Sequence, residues 1–236
     1  MNQEASVAFG RWQKLVTGSP NNRSRLHDQQ GKRLPLGRLV RNGPSAVVSG
    51  LMRISVDKRP SVPWISYDAQ ALLDMRLNKS MRMLEYGSGM STVWYAERVG
   101  HVVSIDDFHP WYEKVKANLE SRGVQNVTYR YAEGVEDYCS PTEQERDGGF
   151  DFIMIDGSYR DTCAQKALEL INPGGMIYLD NADRSHTDPR DGDAKLAREI
   201  LLAHADKVGA DIRWFTDFAP TQFAVTGGLL VTLPES

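Results

Sequence analysis

Cysteine is scarce: Cys139 and Cys163 are the two thiols in 236 residues, far apart in the chain and outside any metal-ligand spacing. Neither a disulfide framework nor a thiolate zinc site is expected, and reduced thiols point to a cytoplasmic protein. Long apolar runs are missing as well. Met1 to Thr17 holds no apolar core of a leader peptide, and no stretch approaches the roughly 18 apolar residues of a membrane span. Secretion and membrane insertion are therefore not expected. No internal repeat is present, so solenoid architectures drop out.

What is there is uneven in charge. Residues 1–60 contain 11 Lys+Arg against 3 Asp+Glu, and the remainder 17 against 28, which together make the net charge of −3. The basic segment is broken by turn-formers at Gly18-Ser19-Pro20-Asn21-Asn22 and Asn42-Gly43-Pro44. From Arg23 to Arg59 no aromatic is interleaved that could stack on a base, so nucleic acid is not the expected partner. Residues 1–58 read as a basic N-terminal extension, partly disordered or lid-like, with a short amphipathic piece around Leu36, Leu39, Val40, Val47, Val48, Leu51 and Met52. Pro60 and Pro63 punctuate a linker, and residues 59–236 form the main domain, long enough for one large α/β core.

That domain opens with Met81 to Asp107, MRMLEYGSGMSTVWYAERVGHVVSIDD. Arg82 to Tyr86 is a short apolar strand that stops at Gly87-Ser88-Gly89. Val93, Tyr95, Ala96 and Val99 then carry helical periodicity, and His101 to Ile105 is β-branched again. This is a βαβ unit whose glycines stand where backbone passes close to a ligand, with a helix N-terminus behind them. Asp106 ends the second strand 19 residues after Gly87, where a carboxylate can accept hydrogen bonds from ribose hydroxyls. A nucleoside-containing cofactor is the expected ligand. The turn is G-x-G-x-x-T, with Thr92 in place of the third glycine of a dinucleotide fingerprint. Glu85, two residues before Gly87, would repel a pyrophosphate and suits a cationic amino group. Both features weigh against a nicotinamide-dependent oxidoreductase.

The pattern continues. Ala69 to Leu77 reads as a helix before the first strand, and Asp107 to Ser121 as a crossover helix with Pro110 in its first turn. Asp107 suits its N-cap, and Trp111 suits either the core or an adenine ring. Gln125 to Tyr131 is the third strand, and Tyr138 to Gly149 a polar surface connection. Asp151 to Ile155, Met176 to Leu179, Asp211 to Phe215 and Gly227 to Leu233 are further strands, with helices over Tyr159–Ile171 and Ala194–Val208. Alternating strands and helices predict an α/β fold: a doubly wound, mostly parallel, seven-stranded, Rossmann-like sheet with helices on both faces.

With Leu84-Glu85-Tyr86-Gly87-Ser88-Gly89, Val103 to Asp106, Phe150 to Gly157 and Ile171 to Asp180, the chain resembles the class I S-adenosylmethionine (SAM)-dependent methyltransferases. Their first motif is an acid followed by G-x-G, and the resemblance runs from Pro63 to Leu233. It implies SAM as cofactor, an antiparallel last strand, and Glu85, Gly87, Ser88, Gly89 and Asp106 as cofactor residues. Glu133, after the third strand, would approach adenine through its side chain or its neighbours' backbone, or is an exposed loop acid. Asp156 would contact the methionine part or orient substrate.

Asp156 ends strand four, and Asp180-Asn181 ends strand five. Three oxygen donors at adjacent strand ends suit a hard divalent cation, or serve as turn caps and polar anchors. The layout is similar to that of the catechol and caffeoyl-CoA O-methyltransferases, which implies Asp156, Asp180 and Asn181 as magnesium ligands. Those enzymes place a lysine three residues beyond the first metal aspartate; here that position is Tyr159, followed by Arg160. Arginine cannot act as a base at neutral pH. Tyr159 could do so with a lowered pKa, and His186 is the other candidate, or a solvated loop histidine. The Asn/Asp-Pro-Pro-aromatic motif of enzymes that methylate exocyclic base amines is absent, as is the Pro-Cys of cytosine-C5 enzymes. The expected activity is therefore O-methylation of a small-molecule or sugar hydroxyl, with a homodimer left open as the assembly. A non-catalytic nucleoside- or partner-binding domain on the same fold is the alternative.

Overall fold

The computed structural model describes residues 23–56, 60–184 and 194–235. Its strands are β1 (Arg82–Tyr86), β2 (His101–Asp106), β3 (Val127–Tyr131), β4 (Phe150–Ile155), β5 (Ile171–Asp180), β6 (Asp211–Phe218) and β7 (Val225–Thr232). They form one sheet in the order β3-β2-β1-β4-β5-β7-β6. Strands β1 to β5 pair in parallel, and β7 is antiparallel to both β5 and β6. The doubly wound, mostly parallel seven-stranded sheet is thus as expected, with the last strand reversed.

The central strands β1, β2, β4 and β5 bury both faces, which is why they read as apolar runs rather than as alternating ones. Met83, Phe152 and Met154 pack under helices α2 (Tyr67–Arg76) and α3 (Ser91–Ala96), through Leu72, Leu73, Trp94 and Tyr95. Leu84, Tyr86, Ile153 and Ile155 face the other way, onto α5 (Gly134–Cys139), α7 (Arg160–Leu170) and α8 (Ala194–Val208), through Tyr138, Ala164, Ala167 and Leu201. Helix α4 (His109–Ser121) closes the β2–β3 end through Val115 and Leu119. Tyr138 to Gly149, expected as a surface connection, instead contributes the end of α5 and a short helix α6 (Glu143–Arg146). Tyr138, Cys139 and Glu145 within it are buried. Glu145 is buried because it pairs with Arg130 at 3.1 Å and closes a capping box with Thr142.

Residues 23–56, within the basic segment, are folded against the sheet. Helix α1 (Leu36–Val56) packs beside β6, where Ala46 and Leu34 join Phe218 and Val225. Arg38 and Arg41 both pair with Asp68 of α2, and Asn42 donates to Asp217 of β6. The helix forms where the apolar pattern marked it, but Leu36, Val40, Val48 and Met52 lie on its exposed side. Ion pairs and a small buried alanine chose the packed face, which an apolar pattern does not reveal. Among the described residues no helix is long and apolar enough to cross a membrane.

The parallel strands end together. The backbone ladder extends one step past β1, β4 and β3, with Gly87 N–H donating to Ile105 O, Asp156 N–H to Tyr86 O and Ala132 N–H to Asp106 O. This carboxyl edge is where open α/β sheets bind ligands.

Candidate active site

Gly87 leaves β1 with φ +91°, and a Cβ there would lie 2.5 Å from Gly157 Cα. The close approach expected at Gly87 is therefore backbone to backbone, between the turns after β1 and β4. Gly89 differs. A Cβ on it would meet Ser91 Oγ at 3.3 Å and Ser91 N at 3.7 Å, and otherwise face open space. Gly89 N–H donates to Thr92 Oγ1 at 3.1 Å, so the threonine in the third-glycine position clamps the turn.

Glu85 lies beneath this turn, fully buried. Ser91 Oγ donates to its Oε1 at 2.8 Å, and Thr92 Oγ1 and Ser104 Oγ donate to its Oε2, each at 2.7 Å. The expectation of a carboxylate open to a cofactor amino group is corrected here: three hydroxyls enclose Glu85, and it braces the turn from below. Burial pushes its carboxyl up to about 7, against the pull of the three hydroxyls. A carboxyl raised in the folded state holds its proton better there than in the unfolded chain. Its contribution to stability is therefore complete below pH 4.5 and falls as pH rises toward 7. Glu85→Gln carries no such dependence. Its stability relative to wild type should rise by about 3 kcal/mol between those limits, at about 1.36 kcal/mol per pKa unit. Urea melts across this range check it; parallel curves would show that Glu85 does not titrate.

A cavity of about 120 Å³ opens over the turn. Gly87 to Ser91 line it together with Trp64, Trp111 and Asp156. Trp111, held by its Nε1–H donating to Ser88 O at 2.8 Å, both lines the cavity and packs against the cluster of Val93, Val115 and Leu119. Asp106, buried at the end of β2, accepts from Ser88 N–H and Oγ at 3.0 and 2.5 Å and from Phe108 N–H at 2.9 Å. Burial raises its carboxyl from the usual value. A carboxylate has about four acceptor positions, so one remains beside an exchangeable serine hydroxyl. Asp106 stands behind Ser88 and is not itself among the groups lining the cavity, nor is Glu133, which is exposed at the start of α5.

The second constellation does come together, but around Arg160. This arginine, 5 % exposed, is the first residue of α7. Its Nε donates to Gly157 O at 2.9 Å and its Nη1 to Asp180 O at 2.6 Å and Asn181 Oδ1 at 3.3 Å. Its Nη2 pairs with Asp156 Oδ1 at 3.3 Å. Asp180 is buried, and its Oδ1 has no hydrogen-bond partner among the described residues. Burial, then the charge of Asp156, holds its carboxyl well above the usual range. Two of the three expected magnesium donors, Asp156 Oδ1 and Asn181 Oδ1, thus already bond to the guanidinium, which meets Asp180 through its main-chain oxygen. As arranged they do not fit a divalent cation, which would place two like charges at contact. Tyr159 packs its ring edge-on against Tyr138 at 5.7 Å and does not line the cavity. That leaves it poorly placed as the base. His186 lies outside the described residues.

Two contributors escaped the sequence reading. Trp64 directly follows the Pro60–Pro63 segment that reads as a linker, and a tryptophan at its end is the available signal. Arg53 of α1 stacks on it, 5.2 Å from the ring centroid. Arg160 was weighed as a base and rejected, while its spacing of four from Asp156 signalled a partner.

This sheet order, with a glycine turn after β1 and an acid closing β2, defines the class I SAM-dependent methyltransferase fold. Residues 84–182 match the family described as a methyltransferase domain. A protein-L-isoaspartate O-methyltransferase from Saccharophagus degradans is 33% identical over 104 residues, 43% of this chain and 44% of that relative. The chain thus spans less than half the length of that relative. Among solved structures, the O-methyltransferase from Bacillus cereus in complex with SAH (S-adenosylhomocysteine) is 20% identical, with a TM-score of 0.58. That match covers 80% of this chain and 99% of the other. The O-methyltransferase TomG from Streptomyces achromogenes, in complex with SAM, is 19% identical over 99% of both chains, with a TM-score of 0.57. Residues 84–182 are therefore similar to a methyltransferase domain, and the chain carries the fold of the class I SAM-dependent enzymes.

Proposed function

We propose that this domain uses SAM to methylate a hydroxyl oxygen of a small molecule or sugar. The observation that carries the reading is that one cavity is lined both by the glycine turn and by Asp156. Bound SAM supplies an electrophilic methyl on a sulfonium. Gly89 leaves the space, Trp111 provides a flat wall for the base, and Asp106 offers its free acceptor position to ribose. Asp156 orients the acceptor hydroxyl and receives its proton, with its direction set by Arg160. Holding the reactants in line can supply several kcal/mol of the barrier. No step runs through a divalent cation, because the donors that would hold one face Arg160.

Cys139 and Cys163, far apart in the chain, bring their buried sulfurs to 3.4 Å in a hydrogen-bond contact, and a cytoplasmic location would keep both reduced. The Arg53–Trp64 stack joins α1 to the cavity wall, which supports a lid role for the basic extension. A homodimer is a separate expectation, read by light scattering. The test of the reading is calorimetry with SAH, and separately NAD, on wild type and Asp106→Ala. Wild type should bind SAH and not NAD. The variant should bind SAH about 10- to 100-fold more weakly, since a hydrogen bond to a charged group contributes roughly 1.5–3 kcal/mol. Methyl transfer to a panel of hydroxyl acceptors then follows. Binding of NAD in place of SAH would overturn the reading, and SAH binding with no transfer to any acceptor would favour a non-catalytic domain.

A further inference from the structure

We propose that Arg160 takes, as part of the chain, the place a divalent cation would take among Asp156, Asp180 and Asn181. The cluster is then held together without metal, and removing the arginine uncovers a cation site. The inference rests on the methyltransferase reading only in placing this cluster beside the acceptor; its residues and contacts stand without it.

Three observations carry it. The first is position. Asp156 follows β4 and Asp180 ends β5, and these strands are neighbours in register, with Ile155 beside Leu179. Their ends bring two carboxylates and an amide oxygen together, and the guanidinium bonds to donors from both strand ends. The second is burial. A charged side chain is almost never this buried unless paired, and Arg160 has contacts on Nε, Nη1 and Nη2 that fix its plane. The third is Asp180. Its Oδ1 is buried without a hydrogen-bond partner among the described residues, and a buried carboxyl beside a second one, Asp156, carries its charge only where a positive group stands near. Arg160, bonded to the main-chain oxygen of Asp180, is that positive group, and it pulls against the upward push of burial and Asp156.

An arginine and a metal differ in one testable respect. A metal can be withdrawn by a chelator, whereas a guanidinium on the chain cannot, and it is always charged at neutral pH. Deleting it should leave two carboxylates and an amide oxygen facing one space, a donor set of hard oxygens suited to Mg²⁺ or Mn²⁺.

The experiment uses the full chain as wild type, Arg160→Ala, Arg160→Lys and the double variant Arg160→Ala/Asp180→Asn. Free Mn²⁺ is counted by electron paramagnetic resonance, and the thermal midpoint is read with EDTA, with Mg²⁺ and with Mn²⁺. Wild type should bind no Mn²⁺ at millimolar concentration and melt at the same temperature in all three conditions. Arg160→Ala should melt about 10 °C lower, at about 2–4 °C per kcal/mol for a chain of this size. It should also bind one Mn²⁺ and recover part of the midpoint with either cation, as linkage requires. A merely structural arginine would lower the midpoint without creating cation binding. The double variant should lose the Mn²⁺, and Arg160→Lys should keep the cluster closed to it. Stoichiometric Mn²⁺ binding by wild type would overturn the proposal, and so would an Arg160→Ala chain that binds no more Mn²⁺ than wild type. If Arg160→Ala does not fold in EDTA, refolding it with Mn²⁺ decides: recovery supports the proposal, and failure to recover overturns it. Calorimetry with SAH on the same wild-type sample separates the two readings, because absent SAH binding would sink the methyltransferase assignment and leave the Mn²⁺ result standing.

Discussion

Gly89→Leu should abolish measurable SAH binding, a loss of at least about 100-fold, while the protein stays folded. Gly89 lines the cavity, and its own backbone is not in the left-handed region. A Cβ there meets Ser91 Oγ at 3.3 Å and Ser91 N at 3.7 Å, a contact that a shift of a few tenths of an ångström relieves with the Ser91–Glu85 bond kept. The rest of a leucine side chain would occupy the space left for the ligand, whose contacts cannot be remade elsewhere on a rigid turn. The stability change should stay within about 1 kcal/mol, or about 2–4 °C in the thermal midpoint. Calorimetry with SAH and a thermal melt check both halves. Retained affinity would show that the cofactor passes elsewhere. Gly89→Ala should fall between wild type and the leucine variant.

Gly87→Ala, two residues away, should do the reverse: it should damage the fold first. At φ +91° an L-residue is strained, which costs about 1–2 kcal/mol. The added Cβ would lie 2.5 Å from Gly157 Cα and 2.6 Å from Gly157 N. These are backbone atoms on the neighbouring strand end and have no rotamer to change, and overpacking of this kind costs roughly 1–3 kcal/mol more. The sum, about 4 kcal/mol, should lower the thermal midpoint by about 10 °C. Gly157 is equally confined, since a Cβ there would fall 2.0 Å from Tyr138 Oη. A midpoint within a degree of wild type would show that the two turns can part at low cost.

These two glycines belong to one motif and looked alike in the sequence. Local pattern tells which residues leave a strand and which conformations they need; it does not tell what stands opposite. Gly87 faces Gly157, about 70 residues away in the chain, and that meeting exists only once β1 and β4 pair.

Much of the architecture was legible beforehand. Apolar runs at β1, β2, β4 and β5, helical periodicity between them, and a glycine turn followed by an acid are short-range patterns tied to backbone geometry. They are enough for the order of elements, the parallel sheet and the end of the sheet at which a ligand binds. Asp106 and Asp156 were placed at that edge because strand ends can be read from the residues that terminate them.

The direction of side chains and the choice of partners lay beyond that reach. Glu85 was expected to face the cofactor; three hydroxyls, from Ser91, Thr92 and Ser104, surround it instead. The apolar stripe of α1 predicted a helix but not its buried side, which the Asp68 ion pairs and Ala46 select. Asp156, Asp180 and Asn181 were read as one cluster from their positions at adjacent strand ends. That its centre holds Arg160 follows from the way α7 leaves β4, a three-dimensional turn that residue spacing alone does not specify. Short-range geometry is written in the order of the residues, whereas the charge that balances a buried carboxylate is settled by whichever atoms the folded chain brings to it.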